Sequence, residues 1–350
     1  MTVRKFRRPG RLVFASAALV TLASGAIAGA PALPTLPTLP APRHGLTVLV
    51  AGVDSREGLT AAELKRYHAG GKGCDCTDVM MLVHISAAND RVSVVSLPRD
   101  SLTEFARDHV DRRTGKTHKP HPAKINAAHT EGGPAFTIEA VERMTGTPVH
   151  RYLEIDFRRF VDGVNRVEGG VPICTDTPLK DHVTGLDLAA GTTRRVGGGE
   201  ALQYVRSRRA DGKMDFGRIQ KQQRFVANTL KTIRADLAAP TRLRLLAATL
   251  RGTAPVERSL TVTEMLVLGS RLRNLTPDRM EFAMVPIRRF NPLIAGVGSS
   301  VAVDEEHAEE VFEALRSDRP LPKARPDSTS EIPRGLGDYR PAGGASLVCP

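Results

Sequence analysis

Residues 45–97 alternate short apolar runs with polar turns, a pattern that predicts strands of a buried sheet. The run "GLTVLVAGVD" predicts a strand that ends at Asp54. The runs "DVMMLVHIS" and "RVSVVSLP" predict two more strands joined by the turn "AAND", which is typical of a hairpin. Because "DVMMLVHIS" is almost entirely apolar, we expect its strand in the centre of the sheet.

Later in the chain, apolar residues recur every three or four positions, which predicts helices between further strands. The longest such pattern begins at Asp215, which we expect to be the N-cap of its helix, and continues to Leu237. The segment 99–129 is predicted to be long, basic and irregular. The other expected elements are, in order, helix "GGPAFTIEAVERMTG", strand "RYLEID", helix "FRRFVDGVNRVEG", strand "GGVPICTDTPL", helix "GGGEALQYVRSR", helices over 241–252 and 261–273, strand "MEFAMVPI" and helix "DEEHAEEVFEALRS". Strands mixed with helices predict one α/β sandwich domain over residues 44–316.

The two ends of the chain differ from this domain. Residues 1–32 combine a basic start with about 20 uncharged residues, which is enough to cross a bilayer as a helix and to leave the domain outside the cytoplasm. The small residues of "AIAGA" also fit a signal-peptidase site, so a single-pass anchor in the cell membrane and a cleaved signal with secretion both remain open. Residues 33–43 are a proline-rich linker, and residues 317–350 are predicted to be a disordered, proline-rich tail.

The formal net charge of +12 favours an anionic partner. Nucleic acid, anionic lipid head groups and a phosphorylated substrate would all satisfy it. Export of the domain argues against nucleic acid, which leaves the cytoplasmic membrane and a phosphorylated substrate as expected partners.

The four cysteines are an even number in an exported chain, which predicts disulfides. We expect Cys174 to pair with Cys74 or Cys76, although the spacing does not define the connectivity, and Cys349 is the fourth. The Cys74-x-Cys76 pair has neither a second pair nor a nearby histidine at ligand spacing, which argues against zinc there.

Four histidines crowd one stretch of the irregular segment. A metal site is the alternative interpretation, but spacings of nine, three and eight residues on an irregular loop are not diagnostic of one, so we expect a solvated loop. These residues are His109, His118, His121 and His129.

The densest positive charge lies in "ALQYVRSRRADGKMDFGRIQKQQ", residues 201–223. On a helix that begins near Asp215, positions 215, 218 and 222 share one face and carry a carboxylate, a guanidinium and an amide. Arg206 and Arg208 precede it, and arginine forks suit bidentate contact with phosphate oxygens. A basic solvated helix is the alternative interpretation.

Acidic residues and arginines also mark the ends of the three predicted strands. Asp54 and Arg56 follow the first, Asp78 begins the second, and Arg99 and Asp100 follow the third. Such residues are often only caps or turns, yet α/β folds bind ligands at strand ends. Carboxylates there can hold Mg²⁺, and arginines can neutralise phosphates. Together these are the parts that phosphoryl transfer requires.

These segments carry a family resemblance. "VAGVDSR", "TDVMMLVHI", "VSVVSLPRDS", "KINAAH", "GGV" and "EALQYVRSR…DFGRIQKQQ" occur in this order within residues 46–235, and with them the chain resembles the LytR-CpsA-Psr family of bacterial cell-envelope proteins. The resemblance implies a three-layer α/β/α sandwich with a central mixed sheet and an apolar tunnel for a prenyl chain. It also implies a membrane-anchored, extracytoplasmic phosphotransferase that moves a glycopolymer from a polyprenyl-pyrophosphate carrier to peptidoglycan through a phosphodiester.

The resemblance also assigns roles to individual residues. It implies that the Mg²⁺ ligands are Asp54 and Asp78. The expected catalytic residues are Arg99, Arg206, Arg208, Asp215 and Arg218. The expected substrate-binding residues are Arg56, Asp100, Lys124, Asn126 and Gln222. Lys124 and Asn126 could equally be structural supports.

One departure from the family pattern weakens the match. The family commonly has Arg-Ser-Asp before the second strand, where this chain has Cys76, Thr77 and Asp78. The missing arginine removes one phosphate contact, for which Arg56 or Lys72 would have to compensate.

The resulting hypothesis is that Mg²⁺ bridges the carrier pyrophosphate while the arginines neutralise its charge. A peptidoglycan hydroxyl attacks the sugar-linked phosphorus in line, and prenyl phosphate leaves. Asp215 or Asp100 could accept the hydroxyl proton. The alternative is a non-catalytic binder of prenyl-linked or phosphate-rich wall polymers, in which the arginines serve affinity only.

Overall fold

The computed structural model describes residues 43–71, 73–212, 214–237, 240–251, 258–322 and 341–350. The expected anchor over residues 1–32 and all but the last residue of the expected linker over 33–43 lie outside these ranges, as does Lys72. Within the described ranges, none of the helices combines the length and apolarity needed to cross a bilayer. All described residues belong to one compact unit, Pro37–Pro350.

The secondary structure alternates strands and helices as the apolar periodicity predicts. The strands are β1 (Leu46–Val53), β2 (Thr77–Ile85), β3 (Val92–Ser96), β4 (Leu102–Phe105), β5 (His109–Val110), β6 (Thr117–His118), β7 (His121–Lys124), β8 (Arg151–Ile155), β9 (Val171–Thr175), β10 (Leu179–Asp181), β11 (Leu186–Leu188), β12 (Thr192–Val196), β13 (Met280–Met284), β14 (Ile287–Ile294), β15 (Gly298–Val303) and β16 (Ala342–Gly343). The helices are α1 (Ala61–Arg66), α2 (Ala127–Thr145), α3 (Phe157–Asn165), α4 (Gly198–Arg206), α5 (Met214–Leu237), α6 (Pro240–Leu250), α7 (Val262–Leu272), α8 (Glu305–Arg316) and α9 (Gly344–Leu347).

The central sheet has six strands in the order β16-β13-β3-β2-β1-β8. Strand β2 is antiparallel to β1 and to β3, whereas β8 runs parallel to β1 and β13 runs parallel to β3. The sheet is therefore mixed, and the predicted hairpin is confirmed. The nearly all-apolar β2 lies in its interior, as expected, because both of its faces are covered.

Helices cover both faces of this sheet. Leu49 of β1 belongs to one apolar cluster with Phe136 of α2 and Phe312 of α8. Val48, one position earlier, belongs to a second cluster with Ala227 of α5, to which α6 and α7 also contribute. Successive side chains of a strand point to opposite faces, so these clusters lie on opposite sides. The expected three-layer α/β/α sandwich is confirmed.

A third apolar cluster determines where α4 and α5 lie. It combines Val171 and Ile173 of β9 with Tyr204 of α4 and Phe225 of α5. Because α5 also contributes to the second cluster, this helix joins the smaller β9–β12 region to the main sheet. The connection between α4 and α5 carries the arginine-rich stretch.

The irregular segment predicted over 99–129 is more ordered than expected. It forms two antiparallel ribbons, β4 with β7 and β5 with β6. The expectation of a solvated histidine loop is wrong, because His109 and His129 are only 7% and 4% exposed. Such short strands carry too few residues for an apolar period to be visible in the sequence.

The chain beyond residue 316 contradicts the predicted disorder of 317–350 wherever it is described. Leu321 is buried, and Asp318 lies 3.1 Å from His84 and 2.9 Å from Arg91. Strand β16 pairs with β13, and Cys349 forms a disulfide. Proline and polar composition suggested disorder, but these long-range contacts hold the segments on the domain. Residues 323–340 lie outside the described ranges.

The cysteine pairing also differs from expectation. Cys174 bonds to Cys349, and Cys74 bonds to Cys76. The expected bridge from Cys174 to the Cys74–Cys76 pair is wrong because β16 and α9 bring the end of the chain to β9. Asp215 is likewise not an N-cap, since α5 already begins at Met214 and Asp215 lies in its first turn.

Candidate active site

A β-bulge positions Asp78 at the end of the sheet. In the β1–β2 ladder, Gly52 pairs with Val79 and Val53 pairs with Thr77, so Asp78 has no partner. A bulge locally re-aims the side chain of its extra residue. Asp78 lines both cavities described below.

The first cavity, of about 220 Å³, lies at the ends of β2 and β3, where charged site residues stand among apolar side chains such as Phe216 and Phe290. We call it the polar pocket. It brings together residues from β2, from the turn after β3, from the α4–α5 connection and from the start of α5. The predicted site residues that line it are Asp78, Arg99, Asp100, Arg208, Asp215, Arg218 and Gln222.

Asp215 joins three guanidinium groups in this pocket. Arg208 binds its carboxylate through both Nε and Nη2, the latter at 2.7 Å. Arg218 Nη2 lies 3.5 Å from it and Arg99 Nε lies 3.9 Å from it. Burial raises the pKa of Asp215, but Arg218 and Arg208 outweigh burial and the pKa is lowered. An ionised carboxylate held by cations is a weak proton acceptor.

Arg218 and Arg99 each keep a donor available for an anion. Arg218 is 4% exposed, and burial lowers the pKa of its guanidinium to about 10, so it remains charged at neutral pH. The Nε atoms of Arg218 and Arg99 are buried and make no hydrogen bond to any residue within the described ranges. Buried donors without partners are costly, and phosphate oxygens would satisfy both.

Arg99 is also held by carboxylates on its other side. It donates to Asp78, and its Nε lies 3.6 Å from Asp100. Burial lowers the pKa of Arg99, but Asp78 and Asp100 together outweigh burial, so the pKa is raised.

Two residues of "KINAAH", Lys124 and Asn126, contact the turn after β3 that contains Arg99 and Asp100. Lys124 Nζ lies 3.4 Å from Asp100, and the backbone N–H of Asn126 donates to the Arg99 carbonyl at 3.1 Å. Among the described residues that line the two cavities, neither Lys124 nor Asn126 is found. The side-chain contact of Lys124 favours its interpretation as a support, and Asn126 supports the turn through its backbone.

Asp54 and Arg56 lie at the end of β1 and bind each other. Arg56 donates to the Asp54 carboxylate at 3.1 and 3.2 Å, and its Nη1 donates to the carbonyls of Gly70 and Gly71. The Asp54 amide donates to Cys76 on the neighbouring chain segment. Arg56 therefore orders the loop before β2, and its contacts are those of a positioning residue.

A second cavity, of about 290 Å³, adjoins the polar pocket, and we call it the apolar cavity. It shares Asp78, Val79, Arg208, Arg218 and Gln222 with the polar pocket. Its other lining residues include Val50, Met81, Ile155, Phe157, Phe160, Leu202, Val205, Phe225 and Val226. Charged groups thus stand where the two cavities meet, an arrangement that can hold an anionic head group next to an apolar chain.

Arg206 lines the apolar cavity near its charged end. Its guanidinium stacks on Phe157 at 4.8 Å and donates to the His68 carbonyl at 3.2 Å. Burial lowers the pKa of Arg206, and the charges of Asp54, Arg56 and Asp78 also act on it.

The sequence model of the LytR_cpsA_psr family matches residues 34–317. The chain belongs to this family. The "Probable cell wall biosynthesis protein LcpB" of Corynebacterium glutamicum is 30% identical over 275 residues, which cover 78% of this chain and 61% of that protein. The "Polyisoprenyl-teichoic acid--peptidoglycan teichoic acid transferase TagV" of Bacillus subtilis is 28% identical over 211 residues, 59% of this chain and 50% of that protein. The matches thus span half to three-fifths of these relatives.

Solved structures share the fold of this LytR-CpsA-Psr protein. The crystal structure of protein gbs0355 from Streptococcus agalactiae has a TM-score of 0.61 and 22% sequence identity, and the match covers 83% of this chain and 92% of that one. The similarity supports the six-stranded mixed sheet with helices on both faces as the architecture of the domain.

The donor atoms of this LytR-CpsA-Psr site suit a hard cation. Asp54 follows β1, and Asp78 lies at the start of the neighbouring antiparallel strand β2. Asp54 lines neither cavity, and among the described residues Asp54, Asp78 and Asp100 do not form a group whose ligand atoms all lie within 4.8 Å of one another. Mg²⁺ takes few protein oxygens and completes its shell with water and phosphate. Each of the two predicted ligands is paired with an arginine here, Asp54 with Arg56 and Asp78 with Arg99.

The sequence did not reveal several residues that shape this LytR-CpsA-Psr site. Phe290 and Asn291 of β14 line the polar pocket, yet no strand was predicted there, and a lone aromatic in a polar run was the only signal. Asp181 was also missed. Its carboxylate accepts the amides of Arg208 and Arg209 at 2.8 and 3.0 Å, and it therefore orders the turn that presents Arg208.

Proposed function

We propose that this chain is a phosphotransferase that moves a glycopolymer from a polyprenyl-pyrophosphate carrier to peptidoglycan. The polyprenyl-linked substrate and peptidoglycan acceptor in the printed name of TagV support this assignment. The observation that carries it is the junction of the two cavities. Arg208 and Arg218 line both the polar pocket and the apolar cavity there. In a polyprenyl-pyrophosphate substrate, the charged pyrophosphate matches the polar pocket and the prenyl chain matches the apolar cavity.

In this proposal the prenyl chain occupies the apolar cavity and the pyrophosphate lies in the polar pocket. The Nε donors of Arg99 and Arg218, which make no hydrogen bond within the described residues, bind phosphate oxygens. Arg206 and Arg208 neutralise charge on the side of the departing prenyl phosphate. Fixed cations of this kind stabilise the charge that develops as the phosphorus–oxygen bond breaks.

A peptidoglycan hydroxyl attacks the sugar-linked phosphorus, and its proton passes to a carboxylate. Asp100 is the better acceptor of the two candidates, because it lines the polar pocket and its contacts to Lys124 and Arg99 are long, 3.4 and 3.6 Å. Asp215 is engaged by Arg208 and has a lowered pKa. The leaving group is prenyl phosphate, and the new bond is the phosphodiester to the wall.

Asp54 and Asp78 would hold Mg²⁺, which when bound screens the charge of the pyrophosphate. Their oxygen donors and their positions on neighbouring strands support this assignment.

We also propose that the domain works outside the cytoplasm, either anchored by residues 1–32 or secreted after cleavage. The two disulfides support an oxidising compartment, since cytosolic chains seldom keep such bonds.

Arg218→Ala tests the assignment. We expect the rate of prenyl phosphate release, measured with a synthetic polyprenyl-pyrophosphate saccharide, peptidoglycan and Mg²⁺, to fall by about 10²- to 10³-fold, because a buried donor aimed at the phosphates is lost. Arg244→Ala, which changes an exposed arginine on α6, is the matched control and should keep the wild-type rate. An unchanged rate in folded Arg218→Ala would contradict the proposal. Tight binding of the lipid by the wild type with no release of prenyl phosphate would instead support the non-catalytic binder.

A further inference from the structure

Three histidines and one glutamate meet in the segment that joins β4 to α2. His109 is in β5, His118 in β6, His121 in β7, and Glu131 in the first turns of α2. One ligand atom from each of the four lies within 4.8 Å of the other three. We call this group the histidine cluster. None of its four residues is among those that line the polar pocket or the apolar cavity.

The nitrogens of the cluster converge on one carboxylate oxygen. Glu131 Oε2 lies 2.8 Å from His109 Nε2, 3.4 Å from His118 Nδ1 and 3.4 Å from His121 Nε2. Metal–nitrogen bonds of the length seen at zinc sites place tetrahedral ligand atoms about 3.3 Å apart. Two of the three nitrogens lie about this far from the Glu131 oxygen, and all four ligand atoms lie within 4.8 Å of one another.

The hydrogen bonds of two rings leave one nitrogen of each ring facing Glu131. His109 Nδ1 lies 3.3 Å from the Arg107 carbonyl, and His121 Nδ1 lies 3.1 Å from the Pro122 carbonyl. In both rings the other nitrogen faces Glu131, and every one of these oxygens only accepts. A protonated ring would donate from both nitrogens, whereas a neutral imidazole has a single N–H and directs the lone pair of its other nitrogen at an oxygen. A cation at the centre would remove this repulsion.

The outer contacts resemble those of metal-binding histidines, whose second N–H is donated to a carbonyl or carboxylate. On the outer side, His109 Nδ1 and His121 Nδ1 lie near the carbonyls of Arg107 and Pro122. His118 Nε2 lies 4.0 Å from the buried carboxylate of Asp111, which is too long for a hydrogen bond. His121 Nε2 is buried and makes no hydrogen bond within the described part of the chain.

Aromatic packing holds the rings in place. Phe136 stacks on His109 at 4.5 Å, Phe105 meets His121 edge-on at 5.4 Å, and the three imidazoles lie 5.5 to 5.7 Å apart. Packing of this kind explains why the rings are buried. It does not explain why three ring nitrogens point at one oxygen.

We propose that the histidine cluster binds one divalent transition-metal ion, with Zn²⁺ as the best fit. Three imidazoles and one carboxylate form a four-coordinate set of the kind that holds zinc, whereas Mg²⁺ prefers oxygen ligands. The set has no position left for substrate, so the ion has a structural role. It joins β5, β6, β7 and α2 into one unit.

This unit supports the active-site turn. The Ile125 amide donates to the Ser101 carbonyl at 2.9 Å, and the Asn126 amide donates to the Arg99 carbonyl at 3.1 Å. The residues that follow β7 therefore connect the histidine cluster to the turn that carries Arg99. None of the cluster residues lines the polar pocket.

Zinc binding by the full chain, purified without a histidine tag and stripped with a chelator, tests the proposal. We expect one Zn²⁺ per chain by equilibrium dialysis with metal analysis, not displaced by millimolar Mg²⁺, and a higher thermal midpoint with zinc. His118→Gln and Glu131→Gln should weaken binding by at least about 10²-fold and abolish the thermal shift. His182→Gln, which changes an exposed histidine elsewhere, should match the wild type.

Failure of the wild type to bind Zn²⁺ more tightly than His118→Gln, or equal loss in His182→Gln, would overturn the site. His118 is 33% exposed, so its variant should fold. Co²⁺ loaded into the wild type provides a measurement that needs no variant: intense visible bands indicate a tetrahedral site, and weak octahedral bands would contradict it. None of these measurements depends on transferase activity.

Discussion

Asp215 and Asp100 illustrate how residue type alone leaves a role undecided. Both are aspartates beside arginines, but Asp215 is bound by Arg208 and lies 3.5 Å from Arg218, whereas Asp100 makes only long contacts. A carboxylate held by cations organises them, and one with weaker contacts can take up a proton. The role of Arg56 also depends on its contacts and not on its residue type. Its guanidinium is bound to Asp54 and to loop carbonyls, so it positions the loop.

Asn substitutions should separate the two aspartates. Asp215→Asn removes the charge that three buried or half-buried guanidinium groups share, so we expect the free energy of unfolding to fall by about 1–3 kcal/mol. Asp100→Asn should leave stability near the wild-type value but reduce the rate of prenyl phosphate release by about 10²- to 10⁴-fold. Urea denaturation and the transfer assay measure the two effects. The reverse pattern would exchange the two roles.

At the scale of elements, long periodic segments were predictable and short ones were not. Helix α5 and the β2–β3 hairpin follow from apolar spacing. The β10–β11 and β14–β15 ribbons were not foreseen, because charged or exposed residues interrupt any pattern in them. Yet β10 carries Asp181, which orders the connection between α4 and α5 through the Arg208 amide.

Asp181 predicts a pH dependence. Burial raises its pKa, but four backbone amides outweigh burial and lower it to about 2. The folded pKa is below the unfolded value, so the stabilisation is present at neutral pH and is lost as pH falls from about 4 towards 2. We expect Asp181→Asn to lower the free energy of unfolding by about 2 kcal/mol at pH 7 and to flatten this acid dependence. Denaturant titrations at several pH values measure both. A variant as acid-sensitive as the wild type would contradict the assignment.

At the scale of the whole molecule, residues 341–350 connect β9, α5 and the central sheet. Cys349 bonds to Cys174 across 175 residues, its amide donates to Asn228 at 2.8 Å, and β16 extends the central sheet. The Cys74–Cys76 bond spans only two positions and constrains a local turn next to Asp54.

Removing each disulfide should have unequal effects. Cys174→Ser with Cys349→Ser should lower the free energy of unfolding by about 2–5 kcal/mol, because the unfolded chain regains the conformational freedom that closing this long loop had removed. Cys74→Ser with Cys76→Ser should cost clearly less, since its loop is short. Guanidinium titrations compare the two double variants with the wild type. Equal losses would show that loop closure is not the source of the stability.

The sequence by itself determined the α/β class, the central hairpin, the long helices and the family motifs, because apolar spacing and strand-end residues are properties of neighbours along the chain. Tertiary structure alone decided which cysteines pair, that His109 lies 2.8 Å from Glu131, and that the polar pocket opens beside an apolar cavity. Such contacts depend on how distant segments pack, and no local pattern records the path of the chain between them.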